Sequence, residues 1–131
     1  MWSPYHYLYK IRKDKLYSGS IKTSELKKIL NSFDEIISTG ELYFRNKEQF
    51  PVISMLIVNS KNGNFAIKDD KTTFEKINLI EIETSKKEDQ KGWYLKFMIK
   101  IAARLNWELI LSEDDHENEE VLIWKNEKNC S

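Results

Sequence analysis

The stretch Tyr94 to Trp124, YLKFMIKIAARLNWELILSEDDHENEEVLIW, changes its hydrophobic period partway through, and that change decides the fold class. In its first part Tyr94, Phe97, Met98, Ile101, Ala102 and Leu105 recur at helical spacing, while Lys91, Lys96, Lys100 and Arg104 lie elsewhere on the helix. This pattern predicts a long helix over Lys87 to Asn106 with an apolar stripe and a basic opposite face. The period then shortens. Trp107 to Leu111 and Val121 to Trp124 are apolar runs of strand length, joined by Ser112 to Glu120, SEDDHENEE, so the helix leads into a hairpin with an acidic connection.

The same reading extends towards the N-terminus. Tyr5, Tyr7, Tyr9 and Ile11 alternate with His6, Leu8, Lys10 and Arg12, which predicts a strand with one aromatic face. Thr23 to Ile37 places Leu26, Ile29, Leu30, Phe33, Ile36 and Ile37 at helical spacing, with Thr23 or Ser24 as N-cap and Gly40 as the stop. Leu42 to Phe44 reads as a short strand, and Pro51 fixes a turn or strand start ahead of Val52 to Asn59. The pair Asn62-Gly63 predicts a tight hairpin between Val52 to Val58 and Phe65 to Ile67. Ile77 to Thr84 reads as a further strand, Ile80, Ile82 and Thr84 on one face and Leu79, Glu81 and Glu83 on the wetter one.

The order strand, helix, four strands, helix, two strands implies an α+β fold: a mainly antiparallel sheet of six to seven strands packed against two helices. A chain of 131 residues fits one domain, 1–131, with 125–131 as a polar tail. Lys plus Arg and Asp plus Glu number 21 each, so no global field favours nucleic acid or an anionic membrane, and charge-driven binding must be local. The single Cys130 cannot form an intramolecular disulfide, which agrees with a reducing, cytoplasmic setting. The start, MWSPYHYLYKIRKDK, has no secretory leader pattern, and no apolar stretch approaches the ~20 residues of a membrane-spanning helix.

Residues suited to catalysis are few. The two histidines are His6, opposite the tyrosine face, and His116, within the acidic connection. Asp114, Asp115, His116 and Glu117 lack the glycine turn and alternating ligand spacing of a calcium-binding loop, so no metal is expected. No phosphate-cradling glycine motif, nucleophile elbow or zinc-protease motif occurs, and no cofactor is implied. Glu81 and Glu83 share a strand face, an arrangement that strand alternation produces without any catalytic purpose. The expectation is a protein that is not an enzyme. In the N-terminal third, Lys10, Arg12, Lys13, Lys15, Lys22, Lys27 and Lys28 interleave with Tyr5, Tyr7, Tyr9 and Tyr17, the composition of a single-strand nucleic-acid surface, although strand packing accounts for the tyrosines more simply.

The segment Tyr94 to Ile110, followed by Glu113 to Glu120, resembles the ends of small bacterial immunity proteins of contact-dependent growth inhibition and related polymorphic toxin systems. In those proteins a helix of the form apolar-x-x-Ile-Ala-x-x-Leu-x-Trp leads into an acidic hairpin. The likeness covers about a quarter of the chain and is one of style, so no residue role transfers by alignment. It implies a cytoplasmic antitoxin whose partner is a cognate toxin domain, often a nuclease with a cationic substrate cleft. Carboxylates of Glu113, Asp114, Asp115, Glu117, Glu119 and Glu120 would then act as a phosphate mimic, with Trp107 and Trp124 as aromatic anchors. A solvated turn for the charges and core packing for both tryptophans are the plain alternatives. A nucleic-acid module built on the Tyr/Lys region, or another small interaction adaptor, are the competing functions.

Overall fold

A computed structural model describes residues 6–61, 74–85, 91–112 and 120–125. In chain order the elements are β1 (His6–Arg12), β2 (Ile21–Lys22), α1 (Thr23–Asn31), β3 (Ile36–Ser38), β4 (Tyr43–Asn46), β5 (Ile53–Val58), β6 (Lys76–Ile77), β7 (Leu79–Ser85), α2 (Lys91–Leu105), β8 (Glu108–Ser112) and β9 (Glu120–Trp124). Seven strands form one sheet in the order β3-β4-β5-β7-β1-β8-β9, and β2 pairs with β6 in a small second sheet. Every strand pairing among the described residues is antiparallel, which makes the fold α+β.

The register sorts the sheet into two faces. Tyr9 stands opposite Ile82 and Leu111, Ile82 opposite Met55, and Met55 opposite Phe44, so these residues share a face. With Ile11, Ile53, Ile57, Ile80 and Leu109 they meet Leu26 and Leu30 of α1 and Tyr94, Phe97, Met98, Ile101 and Ala102 of α2 in one core cluster. Each fully buried side chain of this size contributes about 1.5–3 kcal/mol by leaving water. The one polar atom on the α2 stripe is satisfied: the Tyr94 hydroxyl donates to the Val52 carbonyl at 2.6 Å. Around it Trp93 stacks on Phe97 with centroids 5.4 Å apart, and Phe33 meets Phe97 edge-on at 5.8 Å. The opposite face carries Leu8, Lys10, Tyr43, Ser54, Leu56, Glu81 and Glu83, and among the described residues no helix packs against it.

The first helix is shorter than its periodicity predicts. It stops at Asn31, the Ser32 N–H closes it onto the Ile29 carbonyl and the Phe33 N–H onto that of Leu30, and Ile36 and Ile37 belong to β3, paired with Asn46 and Arg45 of β4. Ile36 is buried in either conformation, which is why its spacing mimics a longer helix. No side chain caps the start. Thr23 is the first helical residue, and its hydroxyl donates to the Phe74 carbonyl while its N–H donates to Glu75.

The predicted strand Ile77 to Thr84 is two strands separated by Asn78. The Asn78 side chain accepts from the Ser60 N–H at 2.7 Å and donates to the Ser60 carbonyl at 2.9 Å, replacing a ladder rung with its own amide and letting the chain change sheets. The hairpin expected at Asn62-Gly63 lies outside the described residues, and the two neighbours of β5 are β4 and β7. Lys87 to Gln90, at the start of the second predicted helix, and 126–131 in the expected tail also lie outside them.

Candidate partner-binding site

The β8–β9 hairpin occupies one edge of the sheet. Ser112 of β8 and Glu120 of β9 are paired. Glu113, Asp114, Asp115, Glu117 and Glu119, with His116, lie in the segment between them and outside the described residues; Glu120 is the first residue of β9. Beyond Glu120, Val121 and Leu122 are 46% and 54% exposed on the edge strand. An edge strand with open backbone groups and exposed aliphatic side chains is a surface that another chain can use.

The two tryptophans part company. Trp107 is buried in the core cluster, its N–H donating to the Ala102 carbonyl at 2.9 Å as the chain leaves α2. Asn106, with φ 63°, turns the chain between them. That packing is the plain reading of Trp107, and it leaves the indole no face to offer a partner. Trp124 ends β9 opposite Leu109, next to an irregularity in the β8–β9 register, and is half-buried.

At the opposite end of the hairpin lies a group that the sequence does not announce. Arg12 is 2% exposed; its Nε donates to Glu108 Oε2 at 3.0 Å and its Nη1 to the Tyr17 hydroxyl at 2.9 Å. The guanidinium also sits 5.1 Å from the Tyr17 ring centroid, a cation–π distance. Tyr17 reaches it from a turn built on Asp14, whose carboxylate accepts from the N–H groups of Leu16 and Ser18 and from the Ser18 hydroxyl. Those hydrogen bonds, that of the Ser18 hydroxyl foremost, hold the Asp14 carboxyl below the usual range. Tyr17 itself takes φ 55°, a left-handed conformation that a tyrosine adopts only at some cost. Gly19 follows because a Cβ there would lie 2.4 Å from Lys13 Cδ.

The turn holds Leu16 81% exposed beside a groove of about 450 Å³ whose lining includes Glu108, Ile110, Leu122, Lys15 and Lys125. Arg12 and Glu108 are 96 residues apart; the one hint in the sequence is that Arg12 continues the Leu8-Lys10 side of the first strand.

The remaining candidates are placed as follows. Tyr9 is buried, and burial, then the neighbouring Tyr7, pushes its hydroxyl pKa up to about 12. Tyr7 packs edge-on to it at 6.2 Å. Tyr5 lies outside the described residues, and Tyr17 is engaged with Arg12. Tyr7 and Tyr9 therefore form core packing rather than a stacking platform. Glu81 and Glu83 do share the bare face of β7; burial raises the Glu81 carboxyl above its usual value against the pull of Lys10 opposite, while Glu83 is exposed. They line a hollow with Leu8, Tyr43, Ser54 and Leu56. Among the described residues no group of three or more His, Cys, Asp or Glu side chains is placed to hold a metal, and no helix is long and apolar enough to cross a membrane. Comparison with protein-family models, with curated proteins and with solved structures finds no match.

Proposed function

We propose that this chain is an immunity protein, a cytoplasmic antitoxin that binds a cognate toxin domain and blocks its active site or substrate cleft. A nuclease is the partner that best suits the chemistry. The observation that carries the reading is the β8–β9 hairpin: an edge strand with exposed Val121 and Leu122 whose connection concentrates six carboxylates, counting Glu120, in a chain of zero net charge. A cleft shaped for phosphates is cationic, and carboxylates on a hairpin end complement it. The aliphatic pair behind them supplies apolar area that charge alone lacks. Glu113, Asp114, Asp115, Glu117, Glu119 and Glu120 make the acidic contact in this reading, with Trp124 at its base. The competing nucleic-acid reading would have to rest on the exposed lysines, since Tyr9 is buried and Arg12 and Tyr17 engage one another.

The test is to purify the tagged chain from its native host, identify what accompanies it by mass spectrometry, and repeat with the six carboxylates neutralised. One stoichiometric toxin domain, lost on neutralisation, is the expected result. Recovery of the toxin with the neutralised hairpin moves the interface elsewhere. Nucleic acid in place of a protein partner sinks the reading.

A further inference from the structure

Glu120 and the groove beside the Asp14 turn lie along one hairpin. Glu120 is paired with Ser112; two residues further along each strand Ile110 and Leu122, also paired, line the groove, which continues to Glu108 and Lys125. Strand residues rise about 3.4 Å each, so Glu120 and Lys125 are roughly 17 Å apart. Ile110 is buried at the floor, while Leu16 and Leu122, 81% and 54% exposed, leave apolar surface uncovered. The charges in the groove are unequal. Arg12 is paired with Glu108 and the Asp14 carboxylate accepts three hydrogen bonds within its own turn, whereas Lys15 and Lys125 have no ion pair among the described residues. The turn that presents Leu16 is held at several points: beyond the Asp14 bonds, the Tyr17 hydroxyl accepts from Arg12, its carbonyl accepts from the Asn78 amide at 3.5 Å, and its backbone takes φ 55°. A leucine already fixed in place loses little freedom when a partner buries it.

We infer that the toxin domain covers the hairpin from Glu120 to this groove in one footprint, with Leu16 as the apolar anchor and Lys15 and Lys125 facing carboxylates of the toxin; the inference rests on the antitoxin role proposed for the chain. An interface of standard size takes about 800 Å² from each partner, a patch about 30 Å across, so a toxin seated on the hairpin reaches both ends. The surface that fits is bipolar: a cationic cleft at Glu120 and, beside it, an apolar socket bordered by carboxylates. Ends of opposite sign fix the orientation, because a toxin docked the other way round brings like charges together. The two ends also divide the work of recognition. Carboxylates suit any cleft built for phosphates, whereas the groove accepts only a toxin whose neighbouring surface carries the socket, and it rejects one that places cations against Lys15 and Lys125.

Binding kinetics between the chain and the toxin domain that co-purifies with it are the test. Leu16→Asp is expected to weaken binding at least ~30-fold, chiefly through faster dissociation, the level of a central contact residue. Lys15→Glu combined with Lys125→Glu is expected to slow association about tenfold, an effect that shrinks at high salt. All three side chains are exposed, so the melting curves of these variants should match the wild type. Wild-type affinity in both variants, with binding still lost when the six carboxylates are neutralised, overturns the single footprint and leaves the antitoxin role standing. Loss at the groove alone, with the neutralised hairpin binding normally, overturns it as well. Failure to recover any toxin domain removes the antitoxin role and this inference together.

Discussion

Along β1, β5 and β7 alternate residues meet two different surroundings. On one face Tyr9, Ile11, Met55, Ile57, Ile80 and Ile82 are buried against both helices; on the other, one residue along, Lys10, Ser54, Leu56, Glu81 and Glu83 are half-buried or exposed, and Val58 and Leu79 are buried where β5 and β7 meet at one end. The same backbone ladder serves both. Burial is heaviest on the helix side, while the middle of the other face carries charge and a hollow between buried Leu79 and Val58 at one end and open strand ends at the other.

The strongest test of that contrast is Phe97→Ala, which removes the ring that stacks on Trp93 and meets Phe33 on the helix side. It is expected to cost about 3–5 kcal/mol in urea unfolding. Arg12→Met comes next and would break the contrast if it proved as mild as a surface change, because Arg12 belongs to the bare side yet is buried beneath the Tyr17 turn. Removing one partner of a buried pair costs about 3 kcal/mol, whereas Arg12→Met with Glu108→Leu should unfold within ~1 kcal/mol of the wild type.

Thr84 is the polar exception within the helix side. Its hydroxyl is buried and has no hydrogen-bond partner among the described residues, so Thr84→Val is expected to raise stability by about 1 kcal/mol in the same assay.

Glu81 gives a smaller effect with a defined sign. Its carboxyl titrates above the usual range in the folded state, so between the ordinary glutamate value and that raised value the folded chain binds more protons than the unfolded one. Stability from this group is therefore greatest at acid pH and falls as pH rises through that window. Glu81→Gln should remove that fall, and urea midpoints across the window measure it. The least effect is expected at Leu122→Ser, within about 0.5 kcal/mol of wild type, because the side chain is exposed on the edge strand. A loss much above that would mean that the bare side contributes to folding after all.

How far the sequence speaks depends on distance along the chain. Tyr94, Phe97, Met98, Ile101 and Ala102 announce α2 because their helical spacing and their burial are the same fact. The alternation in β1 and β7 is equally plain, and so is the hairpin around SEDDHENEE. The end of α1 is ambiguous, since Ile36 is buried whether the helix continues or the chain turns into β3. The role of Asn78 is hidden too, because nothing in the local pattern says that its amide will replace a rung of the ladder. The Arg12–Glu108–Tyr17 cluster depends on β1 meeting β8, a pairing no local signal encodes. The acidic segment is conspicuous as a sequence, and what it touches is a property of another molecule.

The place of β1 in the sheet has a consequence for how the molecule is made. The strand that leads the described chain lies between two strands drawn from its second half: Tyr7 pairs with Thr84, and Leu8 with Ser112. Closing such long loops precedes any reward from contact, so folding should be slow for a domain of this size, and β1 waits with both edges open while the rest is synthesised. A nascent chain halted before β8 would present one of those edges permanently. Its fate would be aggregation or capture by a chaperone, which makes completion of the C-terminal hairpin the step that commits the protein to solubility.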